Sequence, residues 1–594
     1  MKIQDLVSCN ARKFRALPFA NTSQPCVTGY WNLKFASASY LISTGASKSF
    51  TCMIKRMKRL VVFLLFFLPV VLFADPRLPR LERIYDADGD RIFENLHDRM
   101  VLSRKDEMIP VIILYKENAP VAGTLAVRLN QLRSGQVKYV YHNIPAVSVQ
   151  MTSDQIEEAK KDPWIEQMEL DSRVKAAMDT ARPSFGVDNI RKQFKFTGDG
   201  DGIRNNYSKN DMVIAVIDSG VNANHPDLRG KVLFWEDFVK GRSLPYDDNG
   251  HGTLVAGVAL GAGKLRKKYI GVAPQAALVA LKVLNEKGSG DVSDAIAAID
   301  LAIDRKAEFN IRIINLSLAV PGNSAGRDSF SQAANRAVIS GIVVVVAAGN
   351  EGPTARTIGS PSAASKVITV GAGADAGERG FFLASFSSRG PTADDRIKPD
   401  LWGPGVRIQS TSRSGGYTSL SGTSFASPFV AGVVALMLQA NPSLKPAKIK
   451  SILIQTAEKW APGGKNSETG AGRLRAYDAV TRAAAVTTNL NPPDVPTVSF
   501  FKTSINTGET QNFSFPVNST NHFIAITAIL FNAPGPGVTL ELLAPTGNIV
   551  TREDEFDRQE TITFKPTFAG IYTLRVTGFG GSTPYLLDIS ADQE

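Results

Sequence analysis

Three residues stand out for the chemistry their types allow. Ser424 lies in Gly422-Thr423-Ser424-Phe425-Ala426-Ser427-Pro428, ahead of the apolar run Val433 to Leu438. A helix opening there has partial positive charge and free backbone N–H groups at its start. A serine at that point can set its oxygen beside donors able to hold a developing oxyanion, or it can cap the helix. His251 lies between glycines in Asp248-Asn249-Gly250-His251-Gly252-Thr253. The other histidine of this region, His225, sits in the proline turn Asn224-His225-Pro226. His251 is therefore the candidate general base with open access on both sides. Asp218 ends the apolar run Met212 to Ile217, a position that suits a site residue or a turn residue.

The elements that would carry these residues read as α/β. Met212 to Ile217 is continuously apolar, which marks a strand buried on both faces, as in a parallel sheet between helices. Ala277 to Val283, Ile311 to Leu316 and Gly341 to Ala348 repeat the pattern, with helical stretches over Ser293 to Arg305 and Ser331 to Ile339 between them. Sites in such sheets lie beyond the carboxyl ends of the strands, which is where Asp218 stands.

Asp218-Ser219-Gly220, His251 in Gly-His-Gly-Thr-x-Val-Ala-Gly, and Ser424 in Gly-Thr-Ser-x-Ala-Ser-Pro together resemble the three signatures of subtilisin-like serine proteases, in the Asp, His, Ser order known for that family. The resemblance covers roughly 300 residues. It implies a nucleophile at Ser424, a general base at His251 and an orienting acid at Asp218. It implies an oxyanion hole from the Asn350 side chain and the Ser424 backbone N–H. It further implies substrate contacts from Gly288, Ser289 and Gly290 by strand addition, and from Ser317, Leu318, Ala319, Ala347, Ala348 and Gly349. Ala319 stands where the family usually has Gly. Gly359 matches the floor of the primary pocket, which would admit medium or large apolar side chains, and Glu351 at its rim could accept a basic one.

The same resemblance implies that no cofactor is required for catalysis. Structural calcium is left open and no metal site is assigned. Asp227 matches a family calcium ligand, but the neighbouring loop Gly261 to Tyr269 carries Lys264, Arg266, Lys267 and Lys268, which would repel Ca²⁺. Asp199 and Asp201 are a second acidic turn.

Composition narrows the class. The chain has 594 residues and a formal net charge of +11, of which residues 1–59 hold +9. The remainder is nearly neutral, so a nucleic-acid surface is not expected. The three cysteines, Cys9, Cys26 and Cys52, all precede residue 53, which excludes disulfides and cysteine chemistry from the later chain.

The domain reading follows from these landmarks. Lys55 to Arg59 ahead of the apolar run Leu60 to Ala74 reads as a signal peptide over 53–74, leaving 1–52 as an over-extended N-terminus. The expectation is a secreted protein, extracellular or periplasmic, that meets the membrane only during export. Residues 75–180 read as a pro-segment. Its core, about 108–175, has strands at Pro110 to Tyr115, Val137 to Tyr141, Ala146 to Met151 and Trp164 to Val174. Helices are expected over Leu125 to Leu132 and after the capping box Thr152 to Gln155. This β-α-β-β-α-β order is ferredoxin-like α+β, and the stretch resembles the inhibitory propeptide of subtilisin-like proteases. A catalytic domain over 181–485, a linker over 486–496 and an all-β sandwich over 497–594 complete the chain. Ala569 to Val576 resembles the closing hairpin of bacterial pre-peptidase C-terminal domains.

The expected function is a secreted serine endopeptidase made as a self-processing zymogen, acting on polypeptides and inhibited by its own propeptide. The alternative is a catalytically inactive binding protein on the same fold. An ester hydrolase is disfavoured, because no Gly-x-Ser-x-Gly elbow is present and the order of the three residues differs.

Overall fold

Long apolar strands need helices on both faces, and the chain supplies them. The computed structural model describes residues 82–593, apart from 85, 87–89, 105, 117–136, 142–143, 172, 175–182, 199–202, 378–379, 487–494, 533–534 and 554–557. Leu81–Glu594 is one compact unit. The expected signal peptide and the helix over Leu125 to Leu132 lie outside the described residues.

The pro-segment contributes β1 (Glu82–Ile84), α1 (Glu94–Leu102), β2 (Ile109–Tyr115), β3 (Val137–Val140), β4 (Ala146–Met151), α2 (Ser153–Ala159), β5 (Ile165–Leu170) and β6 (Arg173–Val174). β2 to β5 form one antiparallel sheet in the order β3-β4-β2-β5. Thr152 and Gln155 make the reciprocal bonds of a capping box at the start of α2. The strand expected over Trp164 to Val174 is broken. β5 ends at Leu170, and β6 leaves the sheet to pair with another part of the molecule.

The central layer comprises α3 (Val187–Phe194), β7 (Val213–Asp218), β8 (Val232–Asp237), α4 (His251–Leu260), β9 (Ala277–Lys282), β10 (Gly290–Asp291), α5 (Val292–Asp304), β11 (Ile311–Leu316), β12 (Gly322–Ser324), α6 (Ser329–Ile339), β13 (Val343–Ala347), β14 (Ile368–Gly373), β15 (Leu401–Pro404), β16 (Ile408–Thr411), β17 (Tyr417–Leu420), α7 (Thr423–Ala440), α8 (Pro446–Thr456) and α9 (Ala476–Ala483). Seven of these strands form an all-parallel sheet, β15-β14-β13-β11-β7-β9-β8. Every residue of β7, β9 and β13 is buried, as continuous apolar runs between two helical layers require. One core packs α4 and α7 against one face of the sheet, and a second packs α5 and α6 against the other. α7 is long and apolar enough to cross a membrane, yet 89% of it is buried inside the protein, so it is the core helix.

Eight further strands close the chain: β18 (Thr497–Ile505), β19 (Thr510–Val517), β20 (Ile524–Leu530), β21 (Gly537–Leu543), β22 (Ile549–Glu553), β23 (Gln559–Phe564), β24 (Gly570–Phe579) and β25 (Thr583–Ala591). They make two antiparallel four-stranded sheets, β18-β25-β20-β23 and β19-β24-β21-β22, with a shared apolar core. β24 alternates between buried and part-exposed positions, as a sheet with one wet face should. β20 does not alternate, because all seven of its residues are buried. Ile524, Ile526, Ala528 and Leu530 fill the sandwich core, while Ile529 belongs to the core of the central layer.

Candidate active site

Close backbone approach brings the acid and the imidazole together. Gly252 follows His251 at the start of α4, and a Cβ there would lie 2.1 Å from the Gly220 carbonyl oxygen. Only glycine lets α4 lie against the loop after β7. Asp247 then ties the two segments. It accepts from Ser219 Oγ at 2.9 Å and Gly250 N at 2.7 Å, and from Thr253 N at 2.9 Å and Oγ1 at 2.6 Å. The result is a 2.6 Å contact between His251 Nδ1 and Asp218 Oδ1, which also accepts from Ser219 N at 2.7 Å. Both side chains are buried, and the Phe425 ring stands edge-on to the imidazole with centroids 5.6 Å apart.

Ser424 is not the cap of its helix. Gly422 holds that position, and Ser424 is the second residue of α7. Its Oγ donates to the Ser317 carbonyl at 2.9 Å. Ser317, expected at the substrate surface, turns its side chain inward beneath α7. Its Oγ donates to the Ser424 carbonyl at 2.6 Å and lies 2.9 Å from Ser427 Oγ. Ser317 thus fixes the serine turn from below, and Leu318 beside it is buried.

Asn350 follows β13. Its Oδ1 accepts from Thr423 N at 3.0 Å and from Thr423 Oγ1 at 3.1 Å. Both bonds go to one end of the amide, so the Nδ2 end is directed elsewhere. Glu351 Oε2 turns back to accept from Asn350 N at 2.8 Å and from Ser388 Oγ at 3.0 Å. One oxygen of the rim carboxylate is therefore engaged within its own loop. Ala347 and Ala348 are buried, Gly349 adopts φ +110°, and a Cβ on it would meet Glu351 and Ser388 at 2.6 Å. A Cβ on Gly359 would lie 1.9 Å from the Val320 carbonyl oxygen, so the glycine there is demanded by the main chain. Ala319 is nearly buried at the end of the Ser317 segment.

The edge segment Gly288-Ser289-Gly290 is met by the pro-segment. β6 runs antiparallel to β10, with Val174 opposite Gly290 and Arg173 opposite Asp291. Two pro-segment carboxylates sit beside it. Glu169 accepts from Ser329 N with both oxygens, at 3.0 and 3.2 Å, at the start of α6. Asp171 Oδ1 accepts from Ser293 N at 2.7 Å at the start of α5. Burial pushes Asp171 up to about 6 against the hydrogen bonds from Ser293. Burial, reinforced by the Asp328 carboxylate, pushes Glu169 well above the usual carboxylate range.

Sequence reasoning missed Lys282 and Thr423. Lys282 pairs across the sheet with Asp218 and is fully buried. Its Nζ donates to Ser219 O at 2.5 Å, Leu284 O at 2.7 Å and Asp248 Oδ1 at 2.7 Å. Burial alone would raise Asp248, but Lys282 and Lys240 hold it below its ordinary value. A single charge inside the apolar run Ala277 to Leu284 was the available signal.

Asp227 does not fit a cation site. Its Oδ1 accepts from Lys264 N at 2.6 Å and Leu265 N at 3.2 Å, and Oδ2 accepts from Tyr417 OH at 2.7 Å. Those donors occupy the oxygens a metal would need. Asp199 and Asp201 lie outside the described residues.

A buried carboxylate on an imidazole and a hydroxyl at a helix start lie beyond the same parallel sheet. The subtilase family model matches residues 209–472, and a Tk-SP N-propeptide domain model matches residues 88–155. Serine protease AprX of Bacillus subtilis is 39% identical over 341 residues, 53% of this chain and 74% of AprX. Subtilisin DY of Bacillus licheniformis is 40% identical over 253 residues, 42% of this chain and 85% of that protein. Alkaline elastase YaB of a Bacillus species is 35% identical over 343 residues, 57% of this chain and 80% of the elastase. The chain belongs to the subtilase family, as a serine peptidase with an N-terminal propeptide domain.

Proposed function

We propose that the protein is a secreted serine endopeptidase made as a self-processing zymogen. The observation that carries this reading is the 2.6 Å Asp218–His251 contact beside Ser424 at the start of α7. His251 Nε2 takes the Ser424 proton as Oγ swings from the Ser317 carbonyl to attack the scissile carbonyl. Asp218 holds the imidazole in register and stabilises the imidazolium that forms. Charge then gathers on the carbonyl oxygen, between Asn350 Nδ2 and the Ser424 backbone N–H. His251 returns the proton to the leaving amine, and an acyl group stays on Ser424. Water, activated by the same imidazole, releases the acid product. No metal is needed for any step.

The pro-segment inhibits by lending a strand where substrate would bind, as β6 does on β10. Self-processing falls between about Val174 and Phe185. Phe185 is packed against Phe381, Trp402 and Phe429 at 5.6–6.1 Å between ring centroids and belongs to the protease core. Gly288, Ser289, Gly290, Ser317, Leu318, Ala319, Ala347, Ala348, Gly349 and Gly359 frame the peptide-binding surface, with Glu351 at its rim. The closing sandwich is read as a pre-peptidase C-terminal-like domain, on the strength of Ala569 to Val576.

A fluorophosphonate probe should label the matured protein, and Ser424→Ala should abolish both labelling and pro-segment cleavage. Labelling that survives the substitution would sink the assignment, and a parent that does not label at all would favour a non-catalytic binding protein.

A further inference from the structure

The loop Ala348 to Pro353, which carries Asn350, belongs to no helix or strand, so something must hold it. Its inner side rests on the segment Ser385 to Ser388. Gly352 N donates to Phe386 O at 2.9 Å, Glu351 N to Ser388 Oγ at 3.1 Å, and Ser388 N to Gly349 O at 3.0 Å. A Cβ on Gly352 would lie 2.1 Å from Ser387 O, which shows how closely the two segments are pressed together.

Both segments are gripped from outside by consecutive residues of the C-terminal sandwich. Arg558 Nη1 donates to the Pro353 carbonyl. The same guanidinium forks onto Glu468, with Nη2 to Oε1 at 2.6 Å and Nη1 to Oε2 at 3.1 Å. Gln559 Nε2 donates to Leu383 O at 2.7 Å, and its Oε1 accepts from Arg389 Nη2 at 2.5 Å. Arg389 is fully buried, gives a second bond to Ala384 O at 2.9 Å, and directly follows Ser388. Glu468 is nearly buried between the two arginines. A forked Arg–carboxylate pair fixes direction as well as distance. Here it fixes where the far end of the Asn350 loop can lie.

We propose that the C-terminal sandwich is part of the catalytic apparatus, with Arg558 as a positioning residue that sets the Asn350 loop through the Pro353 carbonyl. Arg558 acts through the loop and touches no reacting atom. Its loss leaves that carbonyl and one side of Glu468 without their donor, and the loop relaxes by a fraction of an ångström. Oxyanion stabilisation is sensitive to shifts of that size, whereas ground-state binding along β10 is not.

The inference rests on the proposed serine-endopeptidase reading, and the test separates the two. The full-length protein is matured and its Ser424-dependent probe labelling is established; a parent that does not label fails the functional reading itself. Arg558→Gln and Arg558→Lys are then compared with the parent on a chromogenic peptide amide and against a peptide aldehyde, whose hemiacetal oxygen occupies the oxyanion hole. Arg558→Gln is expected to lower kcat about tenfold, a fraction of the hundred- to thousand-fold known for losing an oxyanion donor in this family. The aldehyde should weaken in parallel while KM stays within about twofold, and Arg558→Lys should recover part of the loss. Unchanged kcat and aldehyde affinity, with only a lower melting temperature, would overturn the inference. If Arg558→Gln fails to mature, Arg558→Lys alone decides it by the same two readouts.

Discussion

The pro-segment and the C-terminal sandwich both pack on the protease, but they do so with opposite electrostatics. Glu169 and Asp171, two residues apart, reach the N-termini of α6 and α5, where Asp328, Asp291 and Asp294 already stand. Helix N–H groups attract these carboxylates while the resident acids repel them. Lys138 offsets part of this, pairing with Asp291 at 3.0 Å and Asp294 at 2.9 Å. At the other interface Glu468 lies between Arg389 and Arg558, and β20 is buried on both faces. Like charge gathers at the first contact, and opposite charges meet at the second. The two contacts thus differ in charge balance, and also in that the pro-segment pairs strands with the protease, β6 on β10 and β1 on β12, while among the described residues the C-terminal strands pair only with one another.

The largest effect should come from breaking the side where opposite charges meet. Glu468→Ala strands two arginines in a nearly buried site and should cost the matured protein about 3–5 kcal/mol, read by urea denaturation. A cost below about 1 kcal/mol would mean that the pair carries no weight in holding the domain. Next comes the pH dependence of the like-charged side. Asp171 is raised from 3.8 to about 6 in the docked state, so docking takes up a proton. The hold is strongest below pH ~4, weakens as pH rises to about 6, and is flat above that for this group. The inhibition constant of pro-segment added in trans should rise by up to about a hundredfold over that window, and Asp171→Asn should flatten the rise. A profile unchanged by Asp171→Asn would remove this residue as the source. Smallest is Glu169→Gln, which keeps an acceptor for Ser329 N and removes the repulsion from Asp328. Inhibition at neutral pH should tighten by roughly tenfold, the scale of one pKa unit. A looser complex would show that attraction to the helix outweighs the repulsion.

What could be read from the sequence followed burial. β7, β9 and β13 were legible as largely apolar runs buried at every residue, and β11 because only Arg312 and Asn315 interrupt its apolar residues. β8 was missed because it is an edge strand, part-exposed at four of its six positions and exposed at Glu236. β14 and β15 were missed because Gly371, Gly373, Gly403 and Pro404 dilute short strands. The Asp218, His251 and Ser424 motifs were plain, since glycines at fixed offsets mark the backbone contacts that assemble them. The roles read for Asn350 and for the segments around Ser317 and Gly288 came only through family resemblance, and the geometry adds that the Ser317 side chain supports Ser424 from beneath. The grip of Arg558 on Pro353 spans 205 residues, and no local pattern carries such a contact. One trace of it was present. Phe523 to Phe531 is almost continuously apolar in a domain of alternating strands, which is the mark of a sheet covered on its outer face.

The burial of α7 has a consequence for how activity is lost. Thr423 through Leu438 are all buried, and Ser424, the proposed nucleophile, is the second residue of that helix. The hydrogen-bonded body of such an element opens only when the domain does, while the N–H groups of its first turn, that of Ser424 among them, have no intrahelical partners. The position of Ser424 therefore shares the cooperativity of global unfolding. Fraying at loops or termini leaves it intact, and a chain that has lost it has lost its core as well.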